Sequence, residues 1–291
     1  MPELLRSIYD PIIMKIIAEV GLNFNGSMDL AFKTIDAAKA CGCDAAKFQN
    51  FYVDTFIHQR SEYWEYENNG IPIRERQETM FRRHELNLEK ITALKAHCDS
   101  IGIEFISTPM CKRGMSELVS IGVKTLKNGS DCLQDLELIR AMGETGLETI
   151  ISTGMAHLSD IDMAVREFRG TGNDKLVLLH CVSSYPAPDE AMNISRIKTL
   201  RDAFGCPVGL SDHSTGIVAP VLAVAYGATV YEAHFTLDKN MPGVDHAMSK
   251  NPDEMKRIVE SVRRAEKQIG NSAIFMTEIE KKNRLDWFKN G

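Results

Sequence analysis

Pro207-Val208-Gly209-Leu210-Ser211-Asp212-His213 and Ala228-Thr229-Val230-Tyr231-Glu232-Ala233-His234 decide how this chain folds. Each is a short apolar run that ends on polar residues and a histidine. A run of that length, bounded by turn residues, suits a strand covered on both faces, as in a parallel sheet. Working outward, the same pattern recurs at Ile16–Val20, Asp44–Gln49, Ile103–Ser107, Val123–Lys127, Glu148–Ser152 and Leu176–Cys181. Pro207–Ser211 and Ala228–His234 complete the series. Helical spacing fills the intervals. Met28, Ala31, Phe32, Ile35 and Ala38 follow it, with Ser27 as N-cap and Gly42 as terminator. Ile161, Ala164, Val165 and Phe168 repeat it, with Ser159 and Asp162 expected as a capping box.

Strand–helix units of roughly 20–30 residues fit an α/β fold of the (β/α)8 TIM-barrel class better than an open sheet. The chain has 291 residues, and such a barrel takes about 250. We therefore expect one catalytic barrel over 1–270 and a C-terminal tail or clasp over 271–291. One interval is longer than the rest, between Phe51 and Leu86. It is rich in Tyr63, Trp64, Tyr66, Arg74, Arg76, Arg82 and Arg83. An insertion after a barrel strand lies on the catalytic face. It reads as a substrate-covering loop or as an oligomer contact.

The 44% apolar content is ordinary for a globular core. A net charge of −6 argues against non-specific nucleic-acid binding, which needs a basic face. It leaves anionic substrates open, because local fields dominate in a cleft. No signal peptide or membrane span is legible, so no membrane association is expected. The seven scattered cysteines read as reduced thiols of a cytoplasmic protein. Cys41-Gly42-Cys43 lacks a second matching pair, and reads as a helix end rather than a zinc site.

The chemistry gathers where the strands end. Glu19, Lys47, Gln49, Thr108, Lys127, Ser130, Ser152, Thr153, His180, Ser211, His213, Glu232 and His234 would all face one mouth. A lone Ser or Thr there is usually a structural cap. A full ring that includes Lys and Glu is hard to explain as packing, since buried charges are costly unless paired. Lys47 and Lys127, with the hydroxyls of Thr108, Ser130, Ser152 and Ser211, can hold a phosphate. His213 and His234 read either as ligands of a divalent ion or as satisfied structural histidines.

At these residues the chain resembles the sialic acid synthase family, the N-acetylneuraminate synthase-like barrels. The matching stretches begin with Ala18-Glu19-Val20-Gly21, Asn23-Phe24-Asn25-Gly26 and Lys47-Phe48-Gln49. Ser107-Thr108-Pro109, Lys127-Asn128-Gly129-Ser130 and Ser152-Thr153-Gly154-Met155-Ala156 follow. His180 to Pro186, Ser211-Asp212-His213 and the run from Glu232 to His246 close the series. The resemblance implies condensation of phosphoenolpyruvate with an N-acylmannosamine-type aldose, giving a 3-deoxy-2-keto sugar acid and phosphate. It implies a divalent metal, usually Mn2+ with Mg2+ or Co2+ also compatible, and a homodimer. By the same resemblance, Lys47, Thr108, Lys127, Ser130, Ser152 and Ser211 hold phosphoenolpyruvate. His213 and His234 bind the metal, while Glu19, Gln49, Tyr185 and Asp245 face the sugar. Glu19, Lys47 and Asp245 are the expected catalytic groups.

Four departures stand out. The family usually adds a C-terminal antifreeze-like domain that supplies an arginine; this sequence stops before it, and a separate polypeptide could supply it. Cys132 replaces a glutamate that contacts sugar hydroxyls, with Asp131 one residue away. Phe24 replaces a histidine, and Ala233 replaces a lysine. The expectation is a nearly complete phosphoenolpyruvate and metal half with an altered acceptor half. Two alternatives remain: a synthase of shorter 3-deoxy-2-keto acids that takes a phosphorylated aldose, and a non-catalytic barrel that binds a metabolite or partner.

Overall fold

The computed structural model describes residues 13–56, 62–68, 71–270 and 274–288. The expected tail over 271–291 and the barrel start at 1–12 thus lie partly outside the described residues. Eight parallel strands close into a barrel: β1 (Lys15–Glu19), β2 (Ala45–Asn50), β5 (Glu104–Pro109), β6 (Thr125–Asn128), β7 (Glu148–Ser152), β8 (Leu176–Cys181), β9 (Val208–Asp212) and β10 (Val230–His234). Neighbours follow chain order, and β1 pairs with β10 from Lys15↔Val230 to Glu19↔His234. The expected barrel is therefore the fold. Several expected strands began one or two residues early. Val123 and Ala228, for example, are buried in the turns before pairing starts.

The outer layer comprises α1 (Met28–Ala40), α4 (Leu88–Ile101), α5 (Lys112–Ser120), α6 (Leu136–Glu144), α7 (Leu158–Arg169), α8 (Arg196–Phe204), α9 (Val218–Ala225) and α10 (Pro252–Ile269). Ser27 caps α1 as expected, accepting a hydrogen bond from Leu30 N–H, and Gly42 ends the turn at φ +87°. For α7 the cap lies two residues earlier than expected. His157 donates its N–H to Asp160 (2.8 Å), while Asp162 pairs with Arg166 down the helix. The sequence offers two acidic residues in one turn, and the earlier one wins because the helix starts at Leu158.

Alternation along the strands builds three levels inside the barrel. At the floor, Lys15 Nζ lies 3.0 Å from Glu104 and 3.5 Å from Glu148, and Thr125 donates its hydroxyl to Glu104. Above it, Ile17, Ala45, Ile106, Ile150, Val177, Leu179 and Val230 form an apolar plug. The upper level is polar and forms the mouth. The opposite strand faces pack against the helices in a separate, larger core that includes Phe48, Phe105, Leu178, Tyr231 and Phe168. Each such side chain contributes roughly 1.5–3 kcal/mol by leaving water. Arg263 and Glu266 of α10 bind Met14 and Asp44, which ties the last helix of the barrel to the start of β1.

The long interval after β2 folds into a short α2 (Val53–Phe56), an antiparallel pair β3 (Tyr63–Asn68) and β4 (Ile71–Arg76), and α3 (Gln77–His84). Past the barrel, α11 (Glu278–Phe288) follows exposed Ile274 and Phe275. Among the described residues, no helix is long and apolar enough to cross a membrane.

Candidate active site

The mouth encloses a cavity of about 960 Å³. Glu19, Lys47, Gln49, Thr108, Lys127, Ser130, Ser152, Tyr185, Ser211, His213, His234 and Asp245 all line it, whereas Thr153, expected in the same ring, turns its hydroxyl to Leu179 O (2.9 Å). Most reach it through strand alternation: Lys47 and Gln49 on β2, Ser211 on β9 with His213 directly past its end, and Glu232 with His234 on β10.

Four buried charges form its base. Lys47 Nζ lies 2.8 Å from Glu19 Oε2 and 3.7 Å from Glu232 Oε2. Lys127 Nζ lies 3.9 Å from Glu232 Oε1 and donates to Ser152 Oγ (2.6 Å) and Asn128 O (2.8 Å). Ser211 donates to Glu232 (3.2 Å). Burial would raise Glu232, but the Lys127 and Lys47 ammoniums overrule it and hold its carboxyl low. Burial raises Glu19 despite Lys47 beside it. Lys47 stays high because Glu19 and Glu232 outweigh its desolvation. Burial lowers Lys127, with Glu232 opposing. Hydroxyls surround this base: Thr108 accepts from Lys47 Nζ (3.4 Å), and Ser130 Oγ accepts from Gly154 N–H (3.0 Å), joining two turns. A Cβ at Gly154 would lie 2.4 Å from Ser183 Oγ and 2.8 Å from Ser130 Oγ, so only glycine leaves that junction intact.

The two histidines flank the base, with ring centroids 5.5 Å apart. His213 Nδ1 donates to Val182 O (2.8 Å), and Cys181 Sγ lies 3.9 Å from the same nitrogen. Tyr185 lies over His213, with centroids 4.2 Å apart. His234 is held neutral by burial, reinforced by the positive neighbours His213 and Lys47. Its Nδ1 is buried without a hydrogen-bond partner, 3.8 Å from Asp245 Oδ2. Burial and Glu19 push Asp245 up to about 6. Two imidazoles, one of them held neutral with an orphaned ring nitrogen, and a nearby carboxylate fit a divalent cation. Among the described residues no group of three or more His, Cys, Asp or Glu forms a fuller ligand set. The site would thus leave positions open for substrate or water.

A tether fixes both histidines. Lys250 donates its N–H to His234 O (2.7 Å) and its ammonium to Ser214 O (2.5 Å). Asp212, behind the site, accepts from Tyr231 OH and from Ser214.

Some expectations need correction. His180 does not face the mouth; it lies on the helix side of β8, with Nε2 against Met192 O (2.6 Å). Ala233 faces the outer core, and Phe24 packs edge-on against Phe48 and His84. Neither departure therefore alters the acceptor side. Cys132 packs partly against the outer core, while Asp131 lines the cavity. The displaced acid, rather than the cysteine, is the residue on hand there. Arg74, Arg82 and Arg83 pair with Glu65, Asp54 and Glu78, and Glu75, and none lines the cavity. The basic insertion thus gives no support to a phosphorylated acceptor. Glu232 and Cys181 carry no assigned role in the sequence reading. Two-residue spacing from His234 would have marked Glu232 as the partner of both lysines.

Comparison with known proteins shows what the chain is similar to. A match to the NeuB family spans residues 34–273. An N,N'-diacetyllegionaminic acid synthase of Legionella pneumophila is 43% identical over 260 residues, covering 88% of this chain and 73% of that protein. A pseudaminic acid synthase of Campylobacter jejuni is 33% identical, covering 93% and 79%. The crystal structure of an N-acetylneuraminic acid synthetase from Leptospira borgpetersenii, in complex with citrate, superposes with a TM-score of 0.84 at 32% identity, covering 95% of this chain and 92% of that one. This chain belongs to the NeuB family.

Proposed function

We propose that the protein condenses phosphoenolpyruvate with an aldose, N-acylmannosamine-like or a variant of it, and releases a 3-deoxy-2-keto sugar acid and phosphate. One observation carries this reading: Lys47 and Lys127 converge on Glu232, ringed by hydroxyls and flanked by His213 and His234. The names of the relatives, synthases of legionaminic, pseudaminic and N-acetylneuraminic acids, support it.

Lys47 and Lys127, with Thr108, Ser130, Ser152 and Ser211, hold the phosphate and carboxylate of the enol phosphate. Gln49, Tyr185 and Asp245 orient the open-chain aldose so that its carbonyl carbon meets C3. A divalent cation held by His213 and His234 would polarise that carbonyl. Imidazole ligands favour a first-row transition ion over magnesium, and the resemblance to the family makes manganese the ion we propose. As the C–C bond forms, positive charge develops at C2. Glu19 and Glu232 lie where two carboxylates can stabilise it. The aldose carbonyl oxygen takes up a proton as it becomes a hydroxyl, and water then adds at C2, losing a proton to one of those carboxylates. The tetrahedral intermediate expels phosphate by C–O cleavage, and the lysines hold the departing anion.

Incubation with phosphoenolpyruvate, manganese and an aldose panel tests this. Aldose-dependent phosphate release with an equimolar new keto acid is expected. Phosphoenolpyruvate binding with no product from any aldose would instead favour a binding protein.

A further inference from the structure

Ser214 follows His213 directly, and every polar atom it has is engaged. Its N–H and its hydroxyl both donate to Asp212 Oδ1 (2.8 and 2.6 Å), and its carbonyl accepts from the Lys250 ammonium (2.5 Å). Asp212, Ser214 and Lys250 are all buried, and none of them lines the cavity. Asp212 ends β9 between Ser211 and His213, which face the mouth, so alternation sends its side chain to the helix side. There its second oxygen accepts from Tyr231 OH (2.8 Å) of β10. Lys250 is fixed independently of its side chain. Its N–H donates to His234 O (2.7 Å) and its carbonyl accepts from Thr236 N–H (3.0 Å), which adds one parallel rung past the end of β10. The backbone of Lys250 thus holds the His234 side, and its ammonium holds the His213 side.

A buried ammonium and a buried carboxylate both lose their hydration here, and the two are bridged through one serine. Packing alone does not call for them, since apolar side chains of similar volume are often as stable or more so. What charge adds is direction, because hydrogen bonds to ionised groups are short and strong. We infer that Asp212 and Lys250 are positioning residues for the cation, a pair of opposite charges that clamps Ser214 and so fixes His213 relative to His234. The inference rests on the metal part of the condensation reading. Groups that orient metal ligands from behind govern affinity although they never touch the ion.

Lys250→Met is the decisive variant, because position and field predict opposite signs. It keeps the backbone rung to His234 and releases Ser214 O. An ammonium near a cation repels it, so a purely electrostatic role would make this variant bind Mn2+ more tightly. A positioning role makes it bind more weakly, by about tenfold or more. Binding is read without substrates, from the free Mn2+ signal in electron paramagnetic resonance. The visible bands of bound Co2+ should also change as the ligand geometry loosens. Affinity for inorganic phosphate, measured by calorimetry without metal, should stay within about twofold, since Lys47 and Lys127 are untouched. The single variant leaves Asp212 buried and unbalanced. Asp212→Asn combined with Lys250→Met removes both charges, keeps the net charge, and should show the same loss of Mn2+ affinity in a chain that folds. Tighter Mn2+ binding by Lys250→Met would overturn the inference. So would a lower melting midpoint with unchanged Mn2+ affinity, or equal losses for Mn2+ and phosphate, which mark a general loosening of the mouth. A wild-type chain that binds no Mn2+ would defeat the metal reading itself, and the inference with it.

Discussion

Glu232 is the residue on which the proposed chemistry turns. It lies between two ammoniums, at 3.7 Å and 3.9 Å, in a place where an unpaired charge is very costly. It tempers the positive field that a phosphate would meet. Glu232→Gln should therefore bind inorganic phosphate more tightly. Its kcat should fall on the order of 10²-fold, because a charge that stabilises the developing cation is gone. Calorimetry and steady-state kinetics read the two effects separately; weaker phosphate binding with unchanged kcat would exclude the role. His246 shows a purely structural use of burial. It is 1% exposed, touches Thr236 and Asn25, and is pushed down to about 4, chiefly by desolvation. In the unfolded chain it titrates near 6.5. The folded state therefore binds fewer protons between these values, and stability falls as pH drops from 6.5 towards 4. Urea titrations across that window should show a shallower fall for His246→Asn, by on the order of 3 kcal/mol in total.

At the scale of elements, β9 and β10 show how tightly strands must approach to aim their ends. A Cβ on Gly209 would lie 2.3 Å from Val230 O and 2.6 Å from Leu179 Cδ2. Gly209→Ala should cost about 1–3 kcal/mol, or more where the backbone cannot yield. Thermal melting checks this; an unchanged midpoint would mean that the pair has slack. The barrel strands were legible because buried parallel strands are continuous apolar runs that end abruptly in polar residues, as at Leu176–Cys181. Site residues were legible for the same reason, being the first polar groups after each run. What alternation requires was read less well. Ala233 and His180 sit between inward-facing neighbours and so point outward, which strand-end position alone does not reveal. The β3–β4 hairpin was not legible. Tyr63-Trp64-Glu65-Tyr66 mixes aromatic and charged residues without a clean apolar face, and its register depends on partners across the turn. The small apolar cluster of Leu22, Phe51, Val53 and Met80, with Met110 and Val244 packed against it, is hidden similarly, since its members come from distant segments.

For the molecule as a whole, the apolar plug separates floor from mouth. Lys15, Glu104 and Glu148 interact below it, and the groups proposed to hold phosphate and metal gather above it. Stability and chemistry are thereby assigned to opposite ends of one barrel, as the fold generally allows. Lys15→Met removes a partly exposed ion pair and should cost no more than about 1 kcal/mol. Phosphate and manganese affinities should stay unchanged, and a loss of either would show that the plug transmits strain between the ends.

The most direct measurement uses phosphoenolpyruvate labelled with oxygen-18 at the bridging C–O–P position, with manganese and the best acceptor aldose. Mass spectrometry then follows the label. Condensation in this site predicts a keto acid with a new C–C bond and labelled phosphate in equal amount, because the C–O bond breaks. Label retained in the organic product, or labelled phosphate released without any new C–C bond, would contradict it.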